Sequence, residues 1–189
     1  MAAEHFGAAK EVLLKIGLPL TLGLTLLAGG CGDRPSSGPL DLEERRAATS
    51  EATQNLKRIT DGAVKYMEAR VAAGEKVGAL RFPDSVGLTP GAPTKLMCRK
   101  GVRHTHAVDA GTWDHPGWRA LGFTAAEAHL NYAYSFISRG SGANAHFTAR
   151  AVGDLTCDGV MATFERLGRL DRAGKVTVSA GVYGLNEFE

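Results

Sequence analysis

Apolar residues recur between positions 48 and 71 in steps of three or four: Ala48, Ala52, Leu56, Ile59, Ala63, Met67 and Val71. That spacing lays a single stripe along a helix of about 3.6 residues per turn. The charged residues Glu51, Lys57, Asp61, Lys65 and Glu68 fall mostly off the stripe. The pattern predicts one long helix from Leu40 to about Ala73. Asp61 and Lys65 make a favourable four-apart pair on it. Gly62 weakens its middle by about 1 kcal/mol relative to Ala, and Gly74 is placed to stop it.

The period then changes to two. Tyr132, Tyr134 and Phe136 alternate with Ala133, Ser135 and Ile137 within residues 130–138. Ala145, Phe147, Ala149 and Ala151 alternate with His146, Thr148 and Arg150. Ala162, Phe164 and Arg166 oppose Met161, Thr163 and Glu165, and Val176 and Val178 alternate with Thr177 and Ser179. Gly-rich reversals separate these runs, at Arg139 to Gly142 and at Asp171 to Gly174. Such alternation predicts a meander of about four antiparallel strands.

Residues 74–118 lack either period and are punctuated by Phe82-Pro83, Thr89-Pro90-Gly91-Ala92-Pro93 and His115-Pro116-Gly117. A connection this long has to be pinned or functional. Trp113, Trp118 and Phe123 are placed to anchor its far end to a core. Thr124-Ala125-Ala126-Glu127 fits a capping box and predicts helical turns at 125–129. A striped helix and a half-buried sheet each need a cover, and each can cover the other. The predicted fold is therefore α+β, a long N-terminal helix packed on an antiparallel sheet.

Upstream, Lys10 and Lys15 precede an apolar stretch from Ile16 to Leu27 and the small residues Ala28-Gly29-Gly30. Charge, apolar core and small residues in that order read as an export signal over residues 1–30. Leu27-Ala28-Gly29-Gly30-Cys31 resembles a bacterial lipoprotein cleavage box. The resemblance implies cleavage before Cys31 and lipid on its sulfur; an ordinary cleaved leader or a weak signal anchor is the plainer alternative. The large aliphatic residue stands four places before the cysteine here rather than three. Residues 31–39 are polar and rich in Pro and Gly, a tether to a domain over residues 40–189. The expected address is the bacterial cell envelope, facing the periplasm or the exterior, with a membrane held through the lipid anchor.

The chain has 189 residues and a net charge of +2, and its 22 Lys and Arg residues form no long basic run. Nucleic acid is not an expected partner. Of the three cysteines, lipid on Cys31 leaves Cys98 and Cys157. Export puts this pair in an oxidising compartment, so a disulfide is expected. The alternatives are two free thiols or a metal pair.

Two clusters offer metal chemistry. Asp154 and Asp158 are candidates for a calcium turn, since calcium takes six to eight oxygens. Thr156 stands where a middle carboxylate belongs, and a hairpin with Asp caps is the plainer reading. His104, His106 and His115, near Asp109 and Asp114, are candidates for zinc, because His-x-His can place two imidazoles on one face of a strand. A polar loop with solvated histidines is the plainer reading there. No phosphate loop, dinucleotide fingerprint or nucleophile elbow is present, and no cofactor is implied.

Glu51-Ala52-Thr53-Gln54-Asn55-Leu56-Lys57-Arg58-Ile59 resembles the helix that follows the membrane part of type IV pilins and pseudopilins. Lys65-Tyr66-Met67-Glu68, Phe82-Pro83, Trp118 to Phe123 and Tyr132 to Phe136 are similar to pilin-type segments. So are Ala149 to Leu155, Asp158-Gly159-Val160 and Thr163-Phe164-Glu165. The resemblance covers residues 50–189 and implies a pilin-like head without catalytic residues, serving adhesion or assembly. Pilins carry a Gly-Phe-Thr-Leu-Ile-Glu type processing site that runs straight into an apolar helix. Here that site is missing, and Gly29, Gly30 and the tether prolines interrupt the helix. Thr156-Cys157 also departs from the family's Asp-Gly turn. Two further readings stand beside the first. One is a minor pilin or pseudopilin of a type IV pilus or type II secretion assembly. The other is a zinc-dependent enzyme using His104, His106 and His115.

Overall fold

The structure, a computed structural model, describes residues 40–99, 102–109 and 111–188. The expected export signal, Cys31 and the expected tether lie outside the described residues. Helix α1 (Leu42–Ala72) opens on a capping box. Glu44 N–H donates to Asp41 Oδ1 at 2.9 Å, and Asp41 N–H donates to Glu44 Oε2 at 3.0 Å. Two of the free donors of the first turn are thus satisfied. The helix ends at Gly74, whose φ is +80°. Gly74 N–H donates to Val71 O at 3.0 Å and Glu75 N–H to Arg70 O at 3.2 Å, the paired bonds of a Schellman stop.

The stripe from Ala48 to Met67 is buried as expected, and Val71 emerges at 37% exposure. Two details differ from expectation. Glu51 is only 8% exposed and belongs to the buried face. Asp61 pairs with Lys57 at 2.6 Å instead of with Lys65.

After α1 come β1 (Val86–Thr89), α2 (Pro93–Leu96), β2 (Cys98–Arg99), β3 (Val102–Arg103) and β4 (His106–Ala107). Then follow α3 (Pro116–Leu121), β5 (His129–Leu130), β6 (Ala133–Arg139), β7 (His146–Gly153) and β8 (Ala162–Leu170). The last strands are β9 (Val176–Val178) and β10 (Tyr183–Leu185). The main sheet has six strands in the order β1-β6-β7-β8-β10, with β9 also pairing β8. All of its pairings are antiparallel. The fold is α+β, with a larger sheet than the four strands expected. β6 to β9 are those four. β1 and β10 are interrupted by Gly87 and Gly184 and show no apolar–polar alternation, whereas β9, no longer than β10, is marked by Val176-Thr177-Val178.

The helix predicted at 125–129 is not formed. Ala128 O accepts from Val108 N–H at 3.1 Å, and β5 pairs with β4 directly afterwards. Those backbone groups are committed to a strand. The helical turns lie earlier, in α3, where Pro116 takes the first position and Gly122 ends the helix at φ +58°. His115 caps α3, its Nδ1 accepting from Gly117 N–H at 3.1 Å.

The inner face of the sheet is built in rows. Tyr134, Ala151 and Phe164 lie side by side, as do Phe136, Ala149 and Arg166. The central strand thus supplies small residues between large ones, leaving a trough for α1. Arg166 reaches across to α1, donating to Thr60 Oγ1 at 3.3 Å. The far end of segment 74–118 is anchored as expected. Trp113 meets Trp118 at 5.8 Å and Phe123 at 5.1 Å between ring centroids, and Phe123 meets Tyr134 at 5.9 Å.

Gly62 is explained by α3. A Cβ at this position would sit 2.0 Å from Leu121 O, so only glycine lets the two helices touch there. Gly62→Ala is expected to destabilise the protein by about 1–3 kcal/mol through overpacking. Helix propensity alone gives a gain of about 1 kcal/mol. The urea midpoint decides between the two signs.

Candidate functional site

Four polar residues join α1 to the segment entering β6. Glu51 and Asn55 lie one helical turn apart on the buried side of α1. Glu51 Oε2 accepts from Asn131 Nδ2 at 2.6 Å and Asn131 N at 3.1 Å, and its Oε1 accepts from Tyr134 Oη at 2.9 Å. Asn55 Nδ2 donates to Tyr134 Oη at 3.1 Å and to Glu127 Oε2 at 2.9 Å. Arg58 donates to Asn55 Oδ1 at 3.1 Å, and Arg103 donates to Asn131 Oδ1.

Burial pushes the Glu51 carboxyl above its ordinary 4.5, against the donors from Asn131 and Tyr134 and with help from the charge of Glu127. Burial likewise drives the Tyr134 phenol well above its usual range, reinforced by the charge of Glu51. A groove of about 460 Å³ runs over this network, lined by Glu44, Glu51, Glu127, Arg103, His129 and Asn131. A second groove, of about 430 Å³, shares Glu127 and adds Asp109, Asp114 and Trp113. The charged groups of the two linings are mostly carboxylates, with Arg103 among them. Each Glu51 oxygen already accepts from protein donors, so the network fixes the helix on the sheet.

The second feature is the turn between β7 and β8. Cys98 on β2 is disulfide-bonded to Cys157 in this turn, with 5.3 Å between Cα atoms. Cys157 has a left-handed backbone at φ +61°. Asp154 is 2% exposed, and its Oδ2 accepts from Gly159 N–H at 3.2 Å. Asp158 Oδ1 accepts from Val160 N–H at 2.8 Å. Both carboxylates named for calcium therefore cap backbone donors of their own turn.

The three histidines named for zinc are not brought together. Among the described residues, the group of three metal-ligating side chains that converges is Cys98, Asp154 and Cys157, and it includes none of them. His115 is occupied as the cap of α3, His106 sits on β4 and His104 is exposed between strands. The pattern places them on separate pieces of backbone, which His-x-His spacing does not reveal.

The third feature is the outer face of the sheet. Ile137, Leu167, Tyr183 and Leu185 share this face by register and are 39%, 42%, 63% and 65% exposed. A groove of about 440 Å³ lies here, lined by His146, Leu167, Thr177, Val178, Ser179 and Tyr183. Among the described residues, no helix is long and apolar enough to cross a membrane.

Sequence reasoning missed Glu51, Asn55 and Asn131. A signal existed: positions 48, 51, 52, 55, 56 and 59 follow the same three-and-four spacing as the apolar stripe. No family model, curated protein or solved structure matches the chain.

Two outcomes follow from these geometries. A raised carboxyl pKa means that the folded state holds the Glu51 proton more tightly than the unfolded chain does. The stability contributed by this group therefore falls as pH rises through the window above 4.5 and levels off beyond the folded pKa. The stability of the native protein minus that of Glu51→Gln should decline with rising pH across that window in chemical denaturation. A difference that climbs with pH would refute the assignment. Separately, Cys98→Ala with Cys157→Ala is expected to lower stability by up to about 4 kcal/mol, the loop-closure value for roughly 60 residues. The shift in thermal or urea midpoint measures it.

Proposed function

We propose that this chain is a non-enzymatic protein of the bacterial cell envelope, a pilin-like head tethered to a membrane by lipid on Cys31. Its work is contact with protein partners of a surface or secretion assembly, with no bond-breaking step. The observation that carries this reading is the two-sided sheet. One face is roofed by a long helix, and a helix followed by an antiparallel sheet is the arrangement that the pilin-like reading calls for. On the other face Ala133 and Ser135 are buried, while Ile137, Leu167, Tyr183 and Leu185 stand exposed among the described residues. Apolar groups exposed on one face beside an open groove of about 440 Å³ are what a contact surface offers.

The tether fits this use. A cleavage box ending at Cys31 and a polar run of residues 32–39 would hold the head a short distance from a bilayer. One acyl chain anchors only marginally, so stable attachment calls for the several chains of a bacterial lipoprotein.

The intact mass of the protein extracted from its native membrane tests the proposal. Loss of residues 1–30 with added acyl mass at Cys31 is the expected result. Retention of residues 1–30 without acyl mass would favour a filament or secretion pilin, and release of an unlipidated chain would overturn the tether.

A further inference from the structure

The turn from Asp154 to Gly159 contains polar groups that the protein itself leaves unanswered. Asp154 is 2% exposed, yet its Oδ1 is buried with no hydrogen-bond partner among the described residues. Thr156 Oγ1, in the same turn, is also buried and unpartnered. Buried polar atoms without a partner are rare, because each retains the full penalty of leaving water. One carboxylate oxygen of Asp154 and the sulfurs of Cys98 and Cys157 all lie within 4.8 Å of one another. While the disulfide is intact, the sulfurs carry no charge and ligate poorly. Once reduced, they become two thiols facing a buried carboxylate.

We propose that reduction of the Cys98–Cys157 bond converts this clamp into a binding site for a zinc-type divalent ion. Cys98 Sγ, Cys157 Sγ and the Asp154 carboxylate are its protein ligands, and water takes the fourth place. Zinc accepts this mixture of sulfur and oxygen, with Zn–S near 2.3 Å and Zn–O at about 2.0–2.2 Å. Ligand atoms around such a tetrahedral ion stand a little under about 4 Å apart. The three donors already occupy a space of that size, and cleaving the S–S bond lets the sulfurs part. Both cysteines are half-buried rather than sealed, so a reductant and an ion can reach them. Cys98 also sits on a strand of only 2 residues, which leaves little pairing to resist the adjustment.

The chemistry balances with a trialkylphosphine as reductant. The phosphine gives two electrons and becomes its oxide with an oxygen from water, while two protons complete the thiols. Zinc then displaces both thiol protons and forms two Zn–S bonds. The metal closes the same loop that the disulfide closed, so binding restores the constraint. This property is independent of the envelope assignment. In an oxidising compartment the covalent staple holds the turn, and in a reducing one the ion does.

The test uses the full chain with Cys31→Ser, so that the third cysteine cannot ligate. After anaerobic reduction and removal of the phosphine, cobalt(II) is added as an optical probe and displaced with zinc. The expected result is one equivalent of cobalt with a thiolate-to-metal charge-transfer band, no such band in the oxidised protein, and loss of the band in Cys98→Ser. Asp154→Asn should weaken zinc binding by more than about 10-fold, the lower end of what losing even an outer-shell partner brings. Zinc should also raise the thermal midpoint of the reduced protein and leave that of the oxidised protein unchanged. This keeps the test decisive even where a variant fails to fold. Absence of the sulfur band, Asp154→Asn binding as tightly as its parent, or zinc held by a chain that does not recover its near-UV circular dichroism would each overturn the proposal.

Discussion

The seam between α1 and the inner face of the sheet is the contact on which the other parts depend. Leu56, Ile59, Ala63 and Met67 on the helix are fully buried, as are Tyr134, Phe136 and Ala149 on the strands. Burial of apolar surface supplies the driving force, at roughly 25 cal/mol per Å². That force is non-directional and tolerates a helix that slides by a turn. The polar link does not. Glu51 finds its donors only where Asn131 and Tyr134 stand, and a displaced helix would leave a carboxylate buried and unpaired. Such a group costs several kcal/mol. Hydrophobic area thus holds the layers together, while one buried carboxylate selects their register.

The long segment after α1 is bearable for the same reason. Its regular elements are short, so its order comes largely from attachment. A Schellman stop fixes its start, the Trp113, Trp118 and Phe123 cluster fixes its end, and the Cys98–Cys157 bond fixes its middle. Each attachment removes chain entropy from a stretch that cannot bury enough apolar surface alone. Gly62 belongs to this scheme, since the close approach of α3 to α1 needs a position without a side chain.

Function, on the reading proposed above, resides where the helix is not. α1 covers one face of the sheet, and the exposed residues of β6, β8 and β10 make part of the other a surface suited to contact. The clamp between β2 and the β7–β8 turn adds a second property, because its three donors suit either a covalent bond or a metal bond. Both uses restrain the same loop.

The amino-acid sequence alone determined the elements whose periodicity runs long enough to be read. The helix stripe, its stop at Gly74, the strands β6 to β9 and the pairing of the two downstream cysteines were all legible, because each rests on local spacing or simple counting. Short elements were not. β1 and β10 are broken by Gly87 and Gly184 and show no alternation, and the helix signal at Thr124 to Glu127 lost to the pairing of β5 with β4. Spacing set Glu51 and Asn55 beside the stripe, but which groups answer them, and the separation of His104, His106 and His115, were decided only by tertiary structure. A charge reads as exposed until the groups that answer it are known, and here those groups come from another part of the chain.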